Sequence, residues 1–263
     1  GPFTLGANAW ARILSTHDPN ETSIQPRLAL YGRAVLTREW LAFVEGRVVT
    51  KYRDGNRFVD PRGARLQQAF ALWRRNSSHS LAFGRQEWHF GDGLIFGRDP
   101  WAALTRTFDG ALATFRKPGY RVRLLFALPD DRTGSPQKRD LLAGAYSELS
   151  LGKSPMEAYA FWFKRNGPSL STTTLGQRGQ FALPGTFFLN EEGAIQIGST
   201  TAHLAHLELG TRLKFAGRIP GNLKLVYLRA SETFQPLYPD THRFLGLVNL
   251  FPGFSNIQRL GLS

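Results

Sequence analysis

The stretch Leu81–Gly110, LAFGRQEWHFGDGLIFGRDPWAALTRTFDG, decides how the rest of the chain is interpreted. Its residue pattern predicts a strand over 81–90, a glycine-rich excursion over 91–106 and a second strand that begins at Thr107. The excursion mixes charged side chains with leucine, isoleucine, phenylalanine and tryptophan. Such a segment favours folding back onto another part of the protein, although a surface loop of a soluble β protein has the same composition.

Charge is concentrated in and around this stretch. On a strand, alternation places Arg85, Glu87 and His89 on the same face. The excursion and the start of the next strand add Asp92, Arg98, Asp99, Arg106 and Asp109. Because these residues include both signs, we expect ion pairs in which the aspartates bind Arg85, Arg98 and Arg106.

The composition of the whole chain limits the kinds of partner that it can bind. The 263 residues include 33 Lys and Arg against 20 Asp and Glu, a formal net charge of +13, and only seven of the 33 cations are Lys. Arginine forks bind carboxylate, sulfate or phosphate through two hydrogen bonds, which makes nucleic acid, an anionic membrane surface and an acidic solute or polymer candidate partners. The absence of cysteine excludes disulfides and thiolate metal sites.

Strand-like alternation recurs along the chain and is clearest over 203–216. One face of that segment consists of Ala205, Leu207, Leu209, Leu213 and Phe215, and the other of His206, Glu208, Arg212 and Lys214. Residues 64–75 fit a strand and a helix about equally, because Leu66, Ala69, Phe70 and Trp73 also follow a helical period. No apolar run approaches the roughly 20 residues of a membrane-spanning helix.

The connections between predicted strands alternate in length through most of the chain. Short connections are predicted near 38, 77, 118, 153, 185 and 220, the last of them closed by Ile219-Pro220-Gly221-Asn222. Longer ones are predicted near 20 (the segment HDPNETSIQ), 57, 98, 134, 168 and 243, whereas the length of the connection near 201 stays open. Outer-membrane barrels have this alternation, with short periplasmic turns and longer extracellular loops. The predicted fold is therefore all-β, an antiparallel up-and-down transmembrane β-barrel of which about 14 strands are visible.

In such a barrel the apolar face of each strand contacts lipid and the polar face lines the lumen. Arg27, Arg33 and Arg47 are then lumen residues, with Glu45 and Glu208 among the counter-charges. The predicted substrate path consists of Arg85, Glu87, Asp92, Arg98, Asp99, Arg106, Asp109, Arg121, Arg123, Arg178, Arg212 and Lys214. Arg121 and Arg123 share one face with no acid beside them in the sequence, which predicts a pore that prefers anions.

An enzyme is the weaker interpretation. His203 and His206 are three residues apart and fall on opposite faces of a strand, which disfavours a metal pair. Asp92 and Asp99 would suit a pair of catalytic carboxylates, but ionic bracing by Arg98 and Arg106 explains them more simply. We therefore expect no enzymatic activity, catalytic residue, metal or cofactor.

A basic soluble protein that binds nucleic acid is the alternative from a different class, since aromatic rings can stack on bases. Here the aromatic residues occur largely on the predicted apolar faces or near strand ends, away from the arginine faces. That placement is typical of the aromatic girdle of a membrane barrel. We therefore expect no nucleic-acid partner.

Several short motifs, taken in their order and spacing, resemble the alginate-export family of outer-membrane β-barrels. They are Gly84-Arg85-Gln86, Gly91-Asp92, Trp101, Arg106-Thr107-Phe108-Asp109-Gly110, Thr174-Leu175-Gly176, Arg178, Thr233-Phe234, Leu237-Tyr238-Pro239, His242, Gly246 and Asn256. The resemblance covers most of residues 27–263. It implies an 18-stranded monomeric barrel in the bacterial outer membrane, with an Arg-rich constriction and loops folded into the lumen.

The resemblance also implies that an acidic polysaccharide, alginate or another uronate polymer, passes through the lumen. A small organic anion would suit an Arg-lined lumen as well, and partner proteins for periplasmic export are left open. Two departures stand out: the chain stops at Gly-Leu-Ser, and the acidic loop expected after residue 229 is reduced to Ala-Ser-Glu. We expect residues 1–263 to form one outer-membrane barrel domain that is truncated at its C-terminal strands, incompletely represented, or smaller.

Overall fold

The protein is all-β throughout the part of the chain that its computed structural model describes, which is residues 2–17, 20–53, 56–58, 63–98, 105–129, 140–152, 154–165, 170–215, 219–240 and 257–262. Sixteen strands occur in these residues. They are β1 (Phe3–His17), β2 (Asn20–Val35), β3 (Trp40–Val49), β4 (Lys51–Arg53), β5 (Asn56–Phe58), β6 (Ala64–Arg74), β7 (His79–Gln86), β8 (Phe108–Lys117), β9 (Tyr120–Pro129), β10 (Leu141–Leu151), β11 (Ser154–Arg165), β12 (Leu170–Ala182), β13 (Phe187–Ile197), β14 (Thr201–Phe215), β15 (Ile219–Ala230) and β16 (Ile257–Leu262). None of these residues forms a helix long and apolar enough to cross a membrane.

The strands form one antiparallel up-and-down sheet. Each long strand pairs with its neighbour in sequence, from β1 with β2 through β14 with β15 and then β16, while the short β4–β5 hairpin pairs beside β2. Thirteen of the described strands have eight residues or more, which with β16 agrees with the predicted number of about 14. Among the described residues no pairing joins β1 to β16, so the sheet stays open there.

Alternation gives the sheet two different faces. The outer face carries exposed leucine, isoleucine, valine and phenylalanine side chains. Examples from eight strands are Leu30, Val44, Phe83, Phe126, Leu175, Ile195, Leu207 and Leu225, all at least 43% exposed. The inner face carries the residues between them, such as Arg47, Tyr146, Arg178 and His206, which are buried. This arrangement confirms the predicted assignment for β14, where Leu207 and Leu209 are exposed and His206 is buried.

The two ends of the sheet differ as a membrane barrel requires. At one end, here called the short-turn end, every connection has two to four residues: 36–39, 75–78, 118–119, 152–153, 183–186 and 216–218. At the opposite, long-loop end, the connections 50–63, 87–107, 130–140 and 231–256 have eleven residues or more. The remaining connections at the long-loop end, 18–19, 166–169 and 198–200, are short, so the prediction of a longer connection near 168 is wrong.

The predictions for the segment HDPNETSIQ and for residues 219–222 are therefore wrong. His17 and residues 20–25 continue a regular ladder in which Ile13 faces Ile24 and Thr16 faces Glu21, so only two residues separate β1 from β2. Residues 219–222 belong to β15 and pair with 212–215, so the turn precedes Pro220. In both places turn-forming residues predicted a connection, but proline and polar residues also occur near the ends of strands.

Residues 64–75 form a strand, and a β-bulge explains why their pattern also fits a helix. The register between β3 and β6 shifts after Glu45: Glu45 faces Gln68, whereas the next residue, Gly46, faces Leu66. Gln67 is therefore the extra residue, and outer-face positions Leu66 and Ala69 are three residues apart instead of two. The bulge also brings two successive glutamines, Gln67 and Gln68, to hydrogen-bond partners on the inner face.

Candidate functional site

The inner face is covered by the segment 87–98, here called the inner loop. Arg85, Glu87 and His89 were predicted to share one strand face. This prediction is wrong, because β7 ends at Gln86 and Glu87 and His89 lie beyond it. Instead the chain turns onto the sheet and buries Leu94, Ile95 and Phe96 almost completely. Gly93 adopts a φ of +85°, and a Cβ atom there would lie 2.8 Å from His89 Cε1, so the tight path of the loop requires glycine.

A second segment, 231–240, holds the inner loop through backbone hydrogen bonds. The Tyr238 N–H donates to the Ile95 carbonyl (2.9 Å), the Gly97 N–H to Tyr238 (2.6 Å) and the Asp240 N–H to Gly93 (2.8 Å). Arg106 Nη1 donates to the Pro239 carbonyl at 2.9 Å. Residues 91–98 and 105–106 of the excursion therefore fold onto the inner face, as predicted. Asp99 lies outside the described residues, as do Trp101, His242, Gly246 and Asn256 of the resemblance motifs.

An aromatic cluster joins the inner loop to the sheet. Phe96 lies 5.0 Å from Phe108, 5.5 Å from Phe161 and 5.3 Å from Tyr238 between ring centroids. Trp88 stacks on Phe108 at 5.1 Å with an interplanar angle of 3°. Burial among these rings raises the pKa of Tyr238. The predicted placement of aromatic residues on outer faces is thus only partly correct, because this cluster lies inside.

Arg178 fixes the inner loop by charge. It pairs with Asp92 of the loop and, through Nη1 at 3.0 Å, with Glu157 of β11. The Tyr146 hydroxyl donates to the same Glu157. The expected pairing of aspartates with arginines of the same stretch is confirmed for Asp109, which binds Arg85, whereas Asp92 binds Arg178, a partner that was not predicted. The antiparallel register puts Arg178 opposite Glu192 and Glu157, far from Asp92 in sequence but directly under the loop.

Arg47 is the centre of a second charged group. It contacts Glu45 at 2.5 Å, Glu87 at 2.7 Å and the Thr105 hydroxyl at 2.7 Å. Gln67 donates to Glu87 at 2.8 Å and to the Thr105 carbonyl at 3.0 Å. Glu87, predicted as a lumen residue, therefore lies on the inner face, where it binds Arg47 of β3 and the glutamine amides of β6.

Arg121 and Arg123 were predicted to have no acid beside them, and this prediction is wrong. Both pair with Glu148 of β10. Arg123 also lies over the rings of Phe90 (4.8 Å) and Tyr146 (5.1 Å). Glu148 faces Arg121 in the β9–β10 ladder, a pairing that depends on strand register and could not be read from neighbours in sequence.

Arg85 and Asp109 form a bidentate pair on the outer face, contrary to their predicted place in the lumen. Arg85 Nε and Nη2 donate to the two Asp109 carboxylate oxygens at 2.7 and 2.8 Å. Asp109 neighbours Phe108, which is buried in the inner cluster, so alternation turns the Asp109 side chain outward. Their side chains are 28% and 46% exposed.

A polar cavity of about 320 Å³ remains on the inner face beside the loop. Its lining brings three arginines together with two carboxylates, a tyrosine and amides: Arg27, Arg47, Arg98, Glu45, Glu87, Tyr31, Asn8 and Gln68. Arg98 is exposed, at the end of the described inner loop. Such a site can hold a carboxylate and hydroxyl groups through arginine forks.

Of the remaining predicted path residues, Arg106 binds the inner loop's partner segment, whereas Arg212 and Lys214 are exposed at the short-turn end. The described residues hold no cluster of histidine and carboxylate side chains that could bind a metal ion. The residues that sequence reasoning missed are Glu148, Glu157, Gln67 and Thr105. Only a prediction of strand register could have found them.

The alginate export family matches residues 4–210, well over half of the chain. The chain belongs to the alginate export family. It is therefore an outer-membrane β-barrel that forms a channel in the bacterial outer membrane, in contact with the lipid bilayer. This family is one of transport channels, and its fold agrees with the exposed apolar outer face and the covered inner face described above.

Solved outer-membrane barrels share the fold. The low-pH structure of Pseudomonas putida OprB has a TM-score of 0.55 at 12% identity, over 87% of this chain and 77% of OprB. OccD3 (OpdP) of Pseudomonas aeruginosa has a TM-score of 0.56 at 12% identity, over 99% of this chain and 65% of OccD3. No curated protein matches the sequence. At these identities the likeness shows the fold alone.

Proposed function

We propose that this alginate export family channel passes an acidic polysaccharide of the uronate type through the lumen, along the inner face. The observation that carries the proposal is the family match over residues 4–210. The cavity beside the inner loop supports it, because Arg27, Arg47 and Arg98 lie within one lining.

The chemistry of the inner face suits a moving polymer. Arg47 is already bound to Glu45 and Glu87, so a sugar carboxylate must compete with these acids for the guanidinium. Competition keeps each contact weak, and a series of weak sites permits conduction where one tight site would block it. We further propose that residues 1–263 belong to a single barrel domain that acts as a monomer. Export partners in the periplasm would deliver the polymer to it.

Block of single-channel current in planar bilayers tests the proposal. Alginate oligomers of defined length should block the current reversibly, with longer block for longer oligomers, whereas neutral malto-oligomers of the same length should block much less. Arg98→Gln, which removes an exposed cation of the cavity, should shorten the block by oligomers. Equal block by charged and neutral oligomers would contradict the proposal.

The second candidate is an anion channel for small acidic solutes, which the three arginines of the cavity would also suit. It predicts that glucuronate monomer permeates freely and that block does not depend on oligomer length. A soluble protein that binds nucleic acid is incompatible with the family, which is found in the outer membrane.

A further inference from the structure

Several cations at the short-turn end of the inner face have no acidic partner among the described residues. Arg33, Arg74, Arg116, Arg212 and Lys214 all occupy inner-face positions near that end and are exposed. Within the part of the chain that the structure describes, none of these five forms an ion pair. Four other inner-face arginines, Arg47, Arg121, Arg123 and Arg178, each pair with at least one carboxylate.

A cavity of about 340 Å³ lies in this region, between the ends of β11 to β15. Two cations, three amides and a phenylalanine ring contribute most of its lining: Arg212, Lys224, Gln180, Asn190, Asn222 and Phe188. The volume falls within the range of about 300–1,000 Å³ that is usual for small-ligand sites. No carboxylate belongs to the described lining.

The hydrogen bonds around the cavity leave one cation available. Glu208, which lies next to the cavity, accepts from Lys224 Nζ at 3.3 Å and from Asn190 Nδ2 at 3.0 Å. Arg212 has no such acid among the described residues and lies with its guanidinium carbon 5.9 Å from the centroid of the Phe188 ring. The ring orients the planar fork without neutralising it.

We propose that this cavity is a capture site for a uronate unit of the polymer at the short-turn mouth of the channel. The Arg212 fork would bind the sugar carboxylate in a bidentate manner, and Asn190, Asn222 and Gln180 would bind ring hydroxyls. The Phe188 ring provides an apolar surface for a sugar face. The inference rests on the proposed function, because it assumes that the solute is an acidic saccharide.

The unpaired cations explain why capture should take place at this mouth. Like charges that line an opening raise the local concentration of an oppositely charged solute and its rate of association. In an outer-membrane barrel the short turns are periplasmic. The site would therefore meet a polymer that arrives from the periplasm before the polymer reaches the cavity beside the inner loop.

Side-dependent block of the channel tests the capture site. The chain contains no cysteine, so Ser77→Cys in the short turn 75–78 provides a single label that reports the orientation of each inserted channel. Alginate oligomers are then added to one side at a time, and the association rate of block is measured for the parent, Arg212→Gln and Arg212→Lys. The matched control is Lys117→Gln, which removes an exposed cation from an outer-face position at the same end.

We expect Arg212→Gln to lower the association rate from the short-turn side about three- to tenfold, with little change from the long-loop side. Arg212→Lys should lower the rate by a smaller factor, because a lysine keeps the charge but not the fork. Lys117→Gln should stay within about twofold of the parent. Asn222→Asp, which adds an acid to the cavity, provides a second variant in case Arg212→Gln folds poorly, and it should slow association from the same side.

The outcomes separate the two proposals. If the parent channel is blocked but the Arg212 and Asn222 variants associate with the oligomer as fast as the parent does, the capture site is wrong and the proposed function stands. The capture site is also wrong if the variants slow association equally from both sides. If oligomers do not block the parent from either side, the proposed function itself fails.

Discussion

The ion pair of Arg85 and Asp109 lies on a face that is mostly apolar. Two adjacent strands supply it, β7 with the arginine and β8 with the aspartate, at the long-loop ends of both strands. A lone charge against lipid is costly, whereas a bidentate pair reduces that cost by neutralising both groups. The pair is therefore a structural feature of the membrane-facing surface and has no direct access to the lumen.

Breaking this pair should destabilise the barrel. Arg85→Ala leaves Asp109 unpaired, and Asp109→Ala leaves Arg85 unpaired; we expect each to cost about 1–2 kcal/mol, because both side chains remain partly exposed. The double variant should cost less than the sum of the two. Urea unfolding in lipid vesicles, followed by tryptophan fluorescence, measures these values. Strictly additive costs would show that the two side chains do not interact in the membrane.

Leu209 provides a test of the outer face at the middle of β14. Leu209→Arg should destabilise the barrel by about 2–4 kcal/mol, because it places a charge near the midplane of the bilayer. Leu213→Arg, four residues nearer the short-turn end, is the depth control and should cost less. The same unfolding measurement applies. If Leu209→Arg folds in lipid as well as the parent, the assignment of this face to lipid is wrong.

At the scale of structural elements, the inner loop is the part of the chain that departs most from a regular barrel. It is held by backbone hydrogen bonds to 231–240, by the Phe96 ring cluster and by Arg178. These three kinds of contact come from β8, β11, β12 and the segment after β15. A loop that only covered the outside of the channel would need none of them.

Deleting residues 93–104 and joining the ends with a short Gly-Ser turn should widen the lumen. We expect larger single-channel conductance and weaker anion selectivity, because the deletion removes the loop and exposed Arg98 together. Shortening the connection 130–140 serves as the control for loop removal in general. A well-folded 93–104 deletion with the conductance of the parent would rule out a narrowing role of the loop.

For the whole molecule, a formal charge of +13 predicts preference for anions, but the pairing of inner-face charges changes which residues should control it. Arg121 and Arg123 share Glu148, so their charge is partly compensated. The exposed Arg212 and Lys214 at the short-turn end have no acid among the described residues. Anion selectivity should therefore depend more on Arg212 and Lys214 than on Arg121 and Arg123.

Reversal potentials under a salt gradient measure this preference. The parent should prefer anions; Glu148→Gln should strengthen the preference, because it removes the acid shared by two arginines. The double variant Arg212→Gln with Lys214→Gln should weaken it, since the mouth then loses two cations. Lys117→Gln is again the control at the outer face. A parent channel that prefers cations would contradict both the charge argument and the proposed export of an acidic polymer.

The sequence by itself was sufficient to predict an antiparallel up-and-down sheet with an apolar outer face and a polar inner face. Alternation along β14 assigned its two faces, and five of the six short-turn positions were predicted from composition, because side-chain period and turn chemistry are local properties. The family could also be recognised from the sequence, because its motifs lie in order along the chain. The limits of β1, β2 and β15 were misjudged because strands continued through residues that are also common in turns.

Only the tertiary structure decided which charges from distant parts of the sequence meet and on which face each pair lies. The pairs Arg178–Asp92 and Arg121–Glu148 join residues that are far apart in sequence, and one residue of register decides the face on which each side chain lies. The bulge at Gln67 shifts that register locally, and the turn of the chain after Gln86 separates Glu87 from the face of Arg85. Arg85 and Asp109 consequently lie outside and Glu87 inside, because strand pairing and loop docking fix side-chain direction through contacts between distant segments.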